Sequence, residues 1–416
     1  MSRPKSCRGC NGEDLFTALN LGQLPLANFL TNSLVVKATT YPLVLEICND
    51  CLLGQVSVSV DPKDVFEDYR YLSSISTSFV KHAKNFAIEQ SKYLRDSDWV
   101  LEIASNDGYL LNHFQQLGVK VLGVEPALNV ARISNEKGIP TLNAFFGSKL
   151  AHDILKEKGY PALIVANNVL AHVPNIVDFA QGLSVLCGPD TRISVENPSI
   201  LNILQNNQFD TIYHEHYSYL SVTFMEFLSK KVGLILADLE LIPTHGGSNR
   251  YWLRVADENQ KISATVHEIS KKEMESGLGN FEVWQSLAKG VQDYLLGFKE
   301  WLVEANLRGE IVCGYGAAAK ASTILNAAQI STDLIPMIAD ASPEKQQRFM
   351  PNVGIPIVNI NTVIDANPDH LIIFPWNIAE EIQKELVGRF KSTTEIWTQL
   401  PTTINGLSVQ KRGNVI

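Results

Sequence analysis

Leu101-Glu102-Ile103-Ala104-Ser105-Asn106-Asp107-Gly108 runs from an apolar strand into a tight turn of small and polar residues. Small side chains at such a turn let backbone N–H groups approach a ligand at the start of the next helix. A second apolar run then ends in Val124-Glu125-Pro126, where an acidic side chain can accept both hydroxyls of a ribose. Together the two segments predict the opening strand-turn-helix of a parallel sheet that holds a nucleoside cofactor. The expected contacts are Glu102, Ala104, Ser105, Asn106, Gly108, Glu125 and Pro126. The turn lacks the G-x-G-x-x-G spacing of dinucleotide binders, and a ligand there needs no pyrophosphate cradle. S-adenosylmethionine fits that logic better than NAD.

Around this centre, short apolar runs alternate with helical periods. Trp99–Ala104, Lys120–Val124, Ala162–Val165 and Arg192–Val195 read as strands. Tyr109–Leu117, Ala127–Lys137 and Ile176–Leu186 read as helices, and an earlier one spans Thr77–Leu94. Alternation of this kind predicts a parallel α/β sheet. Val232–Leu241 and Asn249–Val255, broken by Gly246-Gly247, finish it in the outline of a class I methyltransferase. The loop Asn167-Asn168-Val169-Leu170-Ala171-His172 follows a strand, where α/β folds bind ligands, so Asn167 and Asn168 join the expected cofactor contacts. His172 is a candidate substrate or proton contact.

Residues 1–75 have another character. Cys7-x-x-Cys10 and Cys48-x-x-Cys51 form two knuckles whose spacing suits tetrahedral thiolate ligation of a structural zinc, within a small β-rich lobe. Strand-like runs lie at 43–47 and 54–58. Cys187 and Cys313 stand alone in apolar surroundings and read as core residues. The expected central domain covers 76–258. Residues 259–416 are expected to form a helical bridge from about Gln260 to Arg308 and a second Rossmann-like domain with strands at 310–314, 334–339 and 370–374.

Composition narrows the functions. The chain has 416 residues, 45% of them hydrophobic and 19% charged, with 35 Lys+Arg against 44 Asp+Glu. A net charge of -9 argues against non-specific binding to nucleic acid or anionic membrane, and no stretch is a membrane span. The start lacks the apolar core of a signal peptide, so the expected location is cytoplasmic.

Tyr213-His214-Glu215-His216-Tyr217-Ser218 packs two imidazoles, a carboxylate and two phenols into one run. Each demands hydrogen bonds if buried, which suits proton transfer beside a partly dry pocket. Further on, Gly314-Tyr-Gly-Ala-Ala-Ala319 fits a G-x-G-x-x-[G/A] turn, with Asp340 ending a later strand. Alone, that turn supports a second reading, an NAD-dependent nucleotide-sugar oxidoreductase or epimerase. Lys320 in the first helical turn suits phosphate binding instead.

In this order, the knuckles, Glu102–Gly108, Asn168-Val-Leu-Ala-His-Val-Pro174, Tyr213-His-Glu-His-Tyr-Ser-Tyr-Leu-Ser221, His245-Gly-Gly-Ser248 and Gly314–Lys320 resemble the C-methyltransferases of nucleotide-linked deoxysugars. The resemblance covers nearly the whole chain. It implies a 4-keto sugar on a nucleoside diphosphate, commonly dTDP, deprotonated α to the ketone and methylated from S-adenosylmethionine. It also implies His216 as base, with Tyr213 and Glu215 beside it. Glu215 is expected to orient or polarise the His216 ring, or to stay in a network that keeps it neutral. Tyr213, His214 and His172 remain alternatives for the donor to the enolate oxygen. Substrate contacts are expected from His214, Tyr217, His245, Gly246, Ser248, Gly316 and Lys320, with Ser342, Lys345 and Arg348 facing the diphosphate.

Overall fold

The computed structural model describes residues 6–33, 37–62, 72–257, 261–398 and 410–411. The expected junction at 258/259 and the start of the bridge at Gln260 therefore lie outside the described residues.

In the N-terminal lobe, β1 (Leu15–Pro25) and β2 (Thr40–Cys48) pair antiparallel, and β3 (Gly54–Val56) continues the sheet from β2. β1 was not expected from the sequence. Register shifts between Thr17 and Leu19 and between Asn20 and Gln23 break its two-residue alternation, so its buried Ala18, Leu19, Leu21 and Leu24 show no strand period.

Helix α1 (Thr77–Ser91) starts where the Ser76 side chain accepts from the Phe79 N–H. The central domain then runs β4 (Trp99–Ile103), α2 (Leu111–Gln116), β5 (Lys120–Val124), α3 (Leu128–Glu136), β6 (Thr141–Leu142), α4 (Ser148–Lys158), β7 (Leu163–Asn167), α5 (Ile176–Val185), β8 (Arg192–Pro198) and α6 (Ile200–Gln205). It continues with β9 (Ser218–Tyr219), α7 (Val222–Lys231), β10 (Leu234–Ile242) and β11 (Ser248–Val255). Seven strands order as β6-β5-β4-β7-β8-β11-β10. Those from β6 to β8 are parallel, and β11 runs antiparallel between β8 and β10. This is the class I methyltransferase sheet that the strand-helix alternation predicts. Every parallel strand points its carboxyl end at the same edge, which gathers the loops after β4, β5 and β7.

β9 leaves that sheet and pairs antiparallel with β3 of the lobe. The lobe sheet therefore grips the histidine run directly.

Helices α8 (Ala264–Glu275) and α9 (Phe281–Leu307) lead to the C-terminal domain. Its elements are β12 (Val312–Tyr315), α10 (Ala319–Ala327), β13 (Ile338–Ala339), β14 (Ile357–Val358), α11 (Ile360–Asp365), β15 (His370–Ile373), α12 (Ala379–Leu386), β16 (Glu395–Thr398) and β17 (Gln410–Lys411). The order β14-β13-β12-β15-β16-β17 is parallel except for the last strand, a second Rossmann-like sheet.

One apolar core runs from Leu45 and Ile47 of the lobe through Trp284 and Phe298 of α9 to Ile324 and Phe374. Another joins Cys7, Cys48 and Cys51 through Phe224 to Leu101, Ile164 and Val195 of the central sheet. The lobe is thus packed against both larger domains. Across the opposite side, Thr77 at the start of α1 donates to Glu381 of α12 at 2.6 Å.

Candidate active site

The expected cofactor residues meet at the carboxyl edge of β4, β5 and β7. Ala104, Asn106 and Gly108 all take positive φ, so the chain after β4 doubles back tightly. The Glu125 carboxylate accepts from the Asn106 N–H and the Ala127 N–H, each at 2.9 Å, which fixes its orientation beside the turn. Asn143 holds the carbonyls of Glu125 and Pro126. Glu102 Oε2, Ser105 Oγ, Asp107 Oδ1, Asn167 Oδ1 and both amide atoms of Asn168 are buried without a hydrogen-bond partner. Such groups are costly unless a ligand satisfies them. Burial, then Asp107 and Glu125, raise the Glu102 pKa well above the carboxylate range. Lys137 neutralises Asp107 at 2.8 Å. A crevice with this acidic surplus suits a sulfonium ligand that also carries an ammonium group.

Along the histidine run the chain turns at His214-Glu215, with the His216 N–H donating to the Tyr213 carbonyl at 3.0 Å, and this turn divides the side chains between two sides. Tyr217 is fully buried, and its hydroxyl donates to the Val60 carbonyl at 2.7 Å beneath the Arg8 guanidinium. His214 bonds to the Tyr41 carbonyl at 3.2 Å. The Glu215 carboxylate accepts from the Asn28 backbone N–H and from Asn28 Nδ2 at 2.6 Å. Burial raises that carboxyl to about 7 against the Asn28 bonds. All three side chains face the lobe. The expected substrate contacts at His214 and Tyr217, and the expected orientation of the His216 ring by Glu215, are corrected accordingly: the chain turns at 214–215, which sends these side chains to the lobe while the His216 ring packs on Tyr213 and His172.

Tyr213 and His216 are the half-exposed members of the run. Their ring centroids lie 3.9 Å apart, and His172 meets His216 edge-on at 4.6 Å. His216 Nδ1 lies 2.9 Å from the Thr211 carbonyl oxygen. A carbonyl only accepts, so Nδ1 carries the proton and Nε2 keeps a free lone pair. Burial and then His172 push the His216 imidazolium well below the usual histidine range, and burial takes His172 to about 4. Both rings are neutral at pH 7.

His245, at φ 54° in the loop between β10 and β11, sits edge-on to Phe79 of α1 at 5.8 Å. The other two expected substrate contacts of this loop are used otherwise. Ser248 is buried and its hydroxyl donates to the Thr244 carbonyl. A Cβ on Gly246 would lie 2.2 Å from the Trp376 ring, so this glycine admits the indole and not a substrate. Gly246→Ala, strained also by its positive φ, is expected to cost about 1–3 kcal/mol in denaturant unfolding and to lower kcat.

The C-terminal turn is closed in the same way. A Cβ on Gly316 would meet Pro375 at 2.3 Å, where a dinucleotide binder needs room for pyrophosphate. The Asp340 carboxylate already accepts from the N–H groups of Ala317 and Ser342 at 2.8 and 2.9 Å and pairs with Lys345. The NAD reading and the Gly316 contact are therefore corrected. Lys345 is tied to the Ala317 carbonyl, and Arg348 bonds to the Glu344 carbonyl on the surface. Neither they nor Ser342 joins Lys320, which instead lies against Trp376 by the histidines.

The motifs did not disclose a buried ionic network behind the site. Glu196 on β8 accepts from Arg250 at 2.9 Å and from Thr244 at 3.0 Å, with His82 Nε2 at 3.0 Å. Against its burial, His82 and Arg250 hold that carboxyl down at about 2. The network fastens the His245 loop to α1, and its members are scattered from 82 to 250 with no local pattern. A cavity of about 450 Å³, lined by Tyr93, Arg192, Trp252 and Lys261, lies at the amino end of β8 and contains none of these residues.

In the lobe, the sulfurs of Cys7, Cys10, Cys48 and Cys51 lie within 4.8 Å of one another. The bond to Cys51 leads in lowering the Cys7 thiol to about 5, while burial raises Cys48 to about 12. Four thiolates cannot form together in this buried place without a cation, and the set fits tetrahedral zinc with no open position.

A sheet of this order with an acidic crevice at its carboxyl edge defines an S-adenosylmethionine-dependent methyltransferase. The chain belongs to the C-methyltransferase family. It is 31% identical over 395 residues to the C-methyltransferase NovU of Streptomyces niveus, covering 92% of this chain and 94% of that one. Residues 7–66 match a model described as a zinc binding domain, 78–238 a methyltransferase domain, and 243–401 a C-methyltransferase C-terminal domain. Likeness to solved structures is more distant. Magnesium protoporphyrin IX methyltransferase (ChlM) from Synechocystis with bound SAM is 13% identical, with TM-score 0.32, over 43% of this chain and 79% of that one. A SAM-dependent methyltransferase from Anabaena variabilis is 14% identical, with TM-score 0.35, over 42% and 85%. No described helix is long and apolar enough to cross a membrane.

Proposed function

We propose that the enzyme methylates a ring carbon α to the ketone of a nucleoside-diphosphate 4-keto-deoxysugar, commonly dTDP-linked, through an enolate. The carrying observation is the His216 tautomer: Nδ1–H on the Thr211 carbonyl leaves Nε2 as a neutral, half-exposed base. His216 Nε2 takes the α-proton, and the C–H electron pair moves toward the ketone oxygen. Tyr213 and His172, both against the His216 ring, are the candidates to donate to that oxygen as charge grows. Bound S-adenosylmethionine supplies the electrophilic methyl group. Glu102, Ser105, Asn106, Asn167 and Asn168 would line its binding crevice, with Glu125 on the ribose. His245 lies on the substrate side.

Mass spectrometry of the protein with both substrates should show one added methyl on the sugar. A nicotinamide-dependent change in oxidation state instead would overturn the reading. Glu125→Gln is expected to weaken S-adenosylmethionine binding by about 1.5–3 kcal/mol, or roughly ten- to a hundredfold, in calorimetry.

A further inference from the structure

Asp210, Trp376 and Lys320 interlock where the C-terminal domain meets the central one. Trp376 Nε1 donates to Asp210 Oδ2 at 2.7 Å, and Asp210 Oδ1 is buried without a hydrogen-bond partner. The Lys320 ammonium lies 4.8 Å from the centre of the Trp376 ring. Among the described residues, Lys320 forms no salt bridge within 4 Å. One turn along α10, the Thr323 hydroxyl donates to the Ile212 carbonyl at 3.3 Å. Lys320 and Thr323 therefore share a helix face, and that face is seated on residues 210–212. Thr211, the middle residue of that segment, is the one whose carbonyl holds His216 Nδ1–H. The second domain thus brings a buried amine on Trp376 within electrostatic reach of the candidate base.

We infer that Lys320 is a positioning residue of the proton-transfer centre: its ammonium, seated on Trp376 and balanced by Asp210, helps to keep the His216 imidazole neutral and ready to accept a proton. This rests on the reading of His216 as base. An ammonium beside a half-buried ring disfavours a second positive charge there, and it favours the negative charge that appears on substrate as the proton leaves. The other groups around His216 are the neutral imidazoles of His172 and His245 and the phenols of Tyr213 and Tyr219. Burial lowers the Lys320 ammonium from its usual range while Asp210 holds its charge in place, and Glu215 is turned to Asn28. After burial and His172, Lys320 and His245 also contribute to lowering the His216 imidazolium. Seating of the C-terminal domain and readiness of the base are then one event.

The test is the pH profile of kcat/KM with a dTDP-linked 4-keto-deoxysugar and S-adenosylmethionine. Loss of the nearby cation raises the His216 value, so the acid limb of Lys320→Met should move measurably to higher pH. KM for the sugar nucleotide should change little, and Lys320→Arg should restore the wild-type limb. A tenfold or greater rise in KM with the acid limb in place, roughly what one lost phosphate contact produces, would make Lys320 a substrate contact and overturn the inference. Unchanged kinetics would overturn it too. Should Lys320→Met fail to fold, Lys320→Gln carries the same comparison. Retained turnover in a His216 variant would instead remove the base assignment itself, so the two failures are separable.

Discussion

Replacing His216 by Asn should lower kcat about 10²–10⁴-fold while S-adenosylmethionine still binds with near wild-type affinity. Asn keeps a side-chain N–H for the Thr211 carbonyl, which the wild-type ring engages at 2.9 Å, but offers no lone pair of comparable basicity. The cofactor crevice at the ends of β4, β5 and β7 is built from other residues, so its ligand should not sense the change. Steady-state kinetics with calorimetry on the same preparation would check both halves. Turnover within a few-fold of wild type would leave the imidazole without a catalytic role.

Zinc removal should be the most damaging change to the fold and should remove catalysis with it. Cys7, Cys10, Cys48 and Cys51 lie between the lobe sheet and the core that includes Phe224. From Cys48, β2 leads to β3, and β3 pairs with Ser218–Tyr219 just after His216. Loss of metal from small zinc domains removes about 10–16 kcal/mol of folding free energy. Cys48→Ser or a strong chelator should therefore melt the lobe and free the histidine run together. Metal analysis should find one zinc per chain in active protein. Full activity in metal-free protein would break the link from lobe to site.

Much of this was legible in the sequence because local physics dictates it. Buried parallel strands, a turn of small residues at Ala104–Gly108 and an acid at the end of β5 each leave a pattern in a few consecutive residues. Paired knuckles predict a clustered thiolate set for the same reason. Other features depend on partners distant in the chain. Glu215 is next to His216 in sequence, yet Asn28 draws it to the opposite side. Gly246 and Gly316 read as ligand glycines, but Pro375 and Trp376 fill the space above them. Nothing local marks Trp376, whose indole meets Asp210 only because the C-terminal sheet brings the two together. A local signal also marks the start of α7, where Ser221 caps the helix by accepting from the Phe224 N–H.

The central claim is that His216 Nε2 removes a proton α to the substrate ketone. It is tested most directly by incubating the protein with a dTDP-linked 4-keto-deoxysugar in deuterated water without S-adenosylmethionine and following the α-position by NMR. Wild-type protein should exchange that hydrogen for deuterium, and His216→Asn should reduce the rate to the uncatalysed level. Equal exchange in both proteins would contradict the assignment of the base.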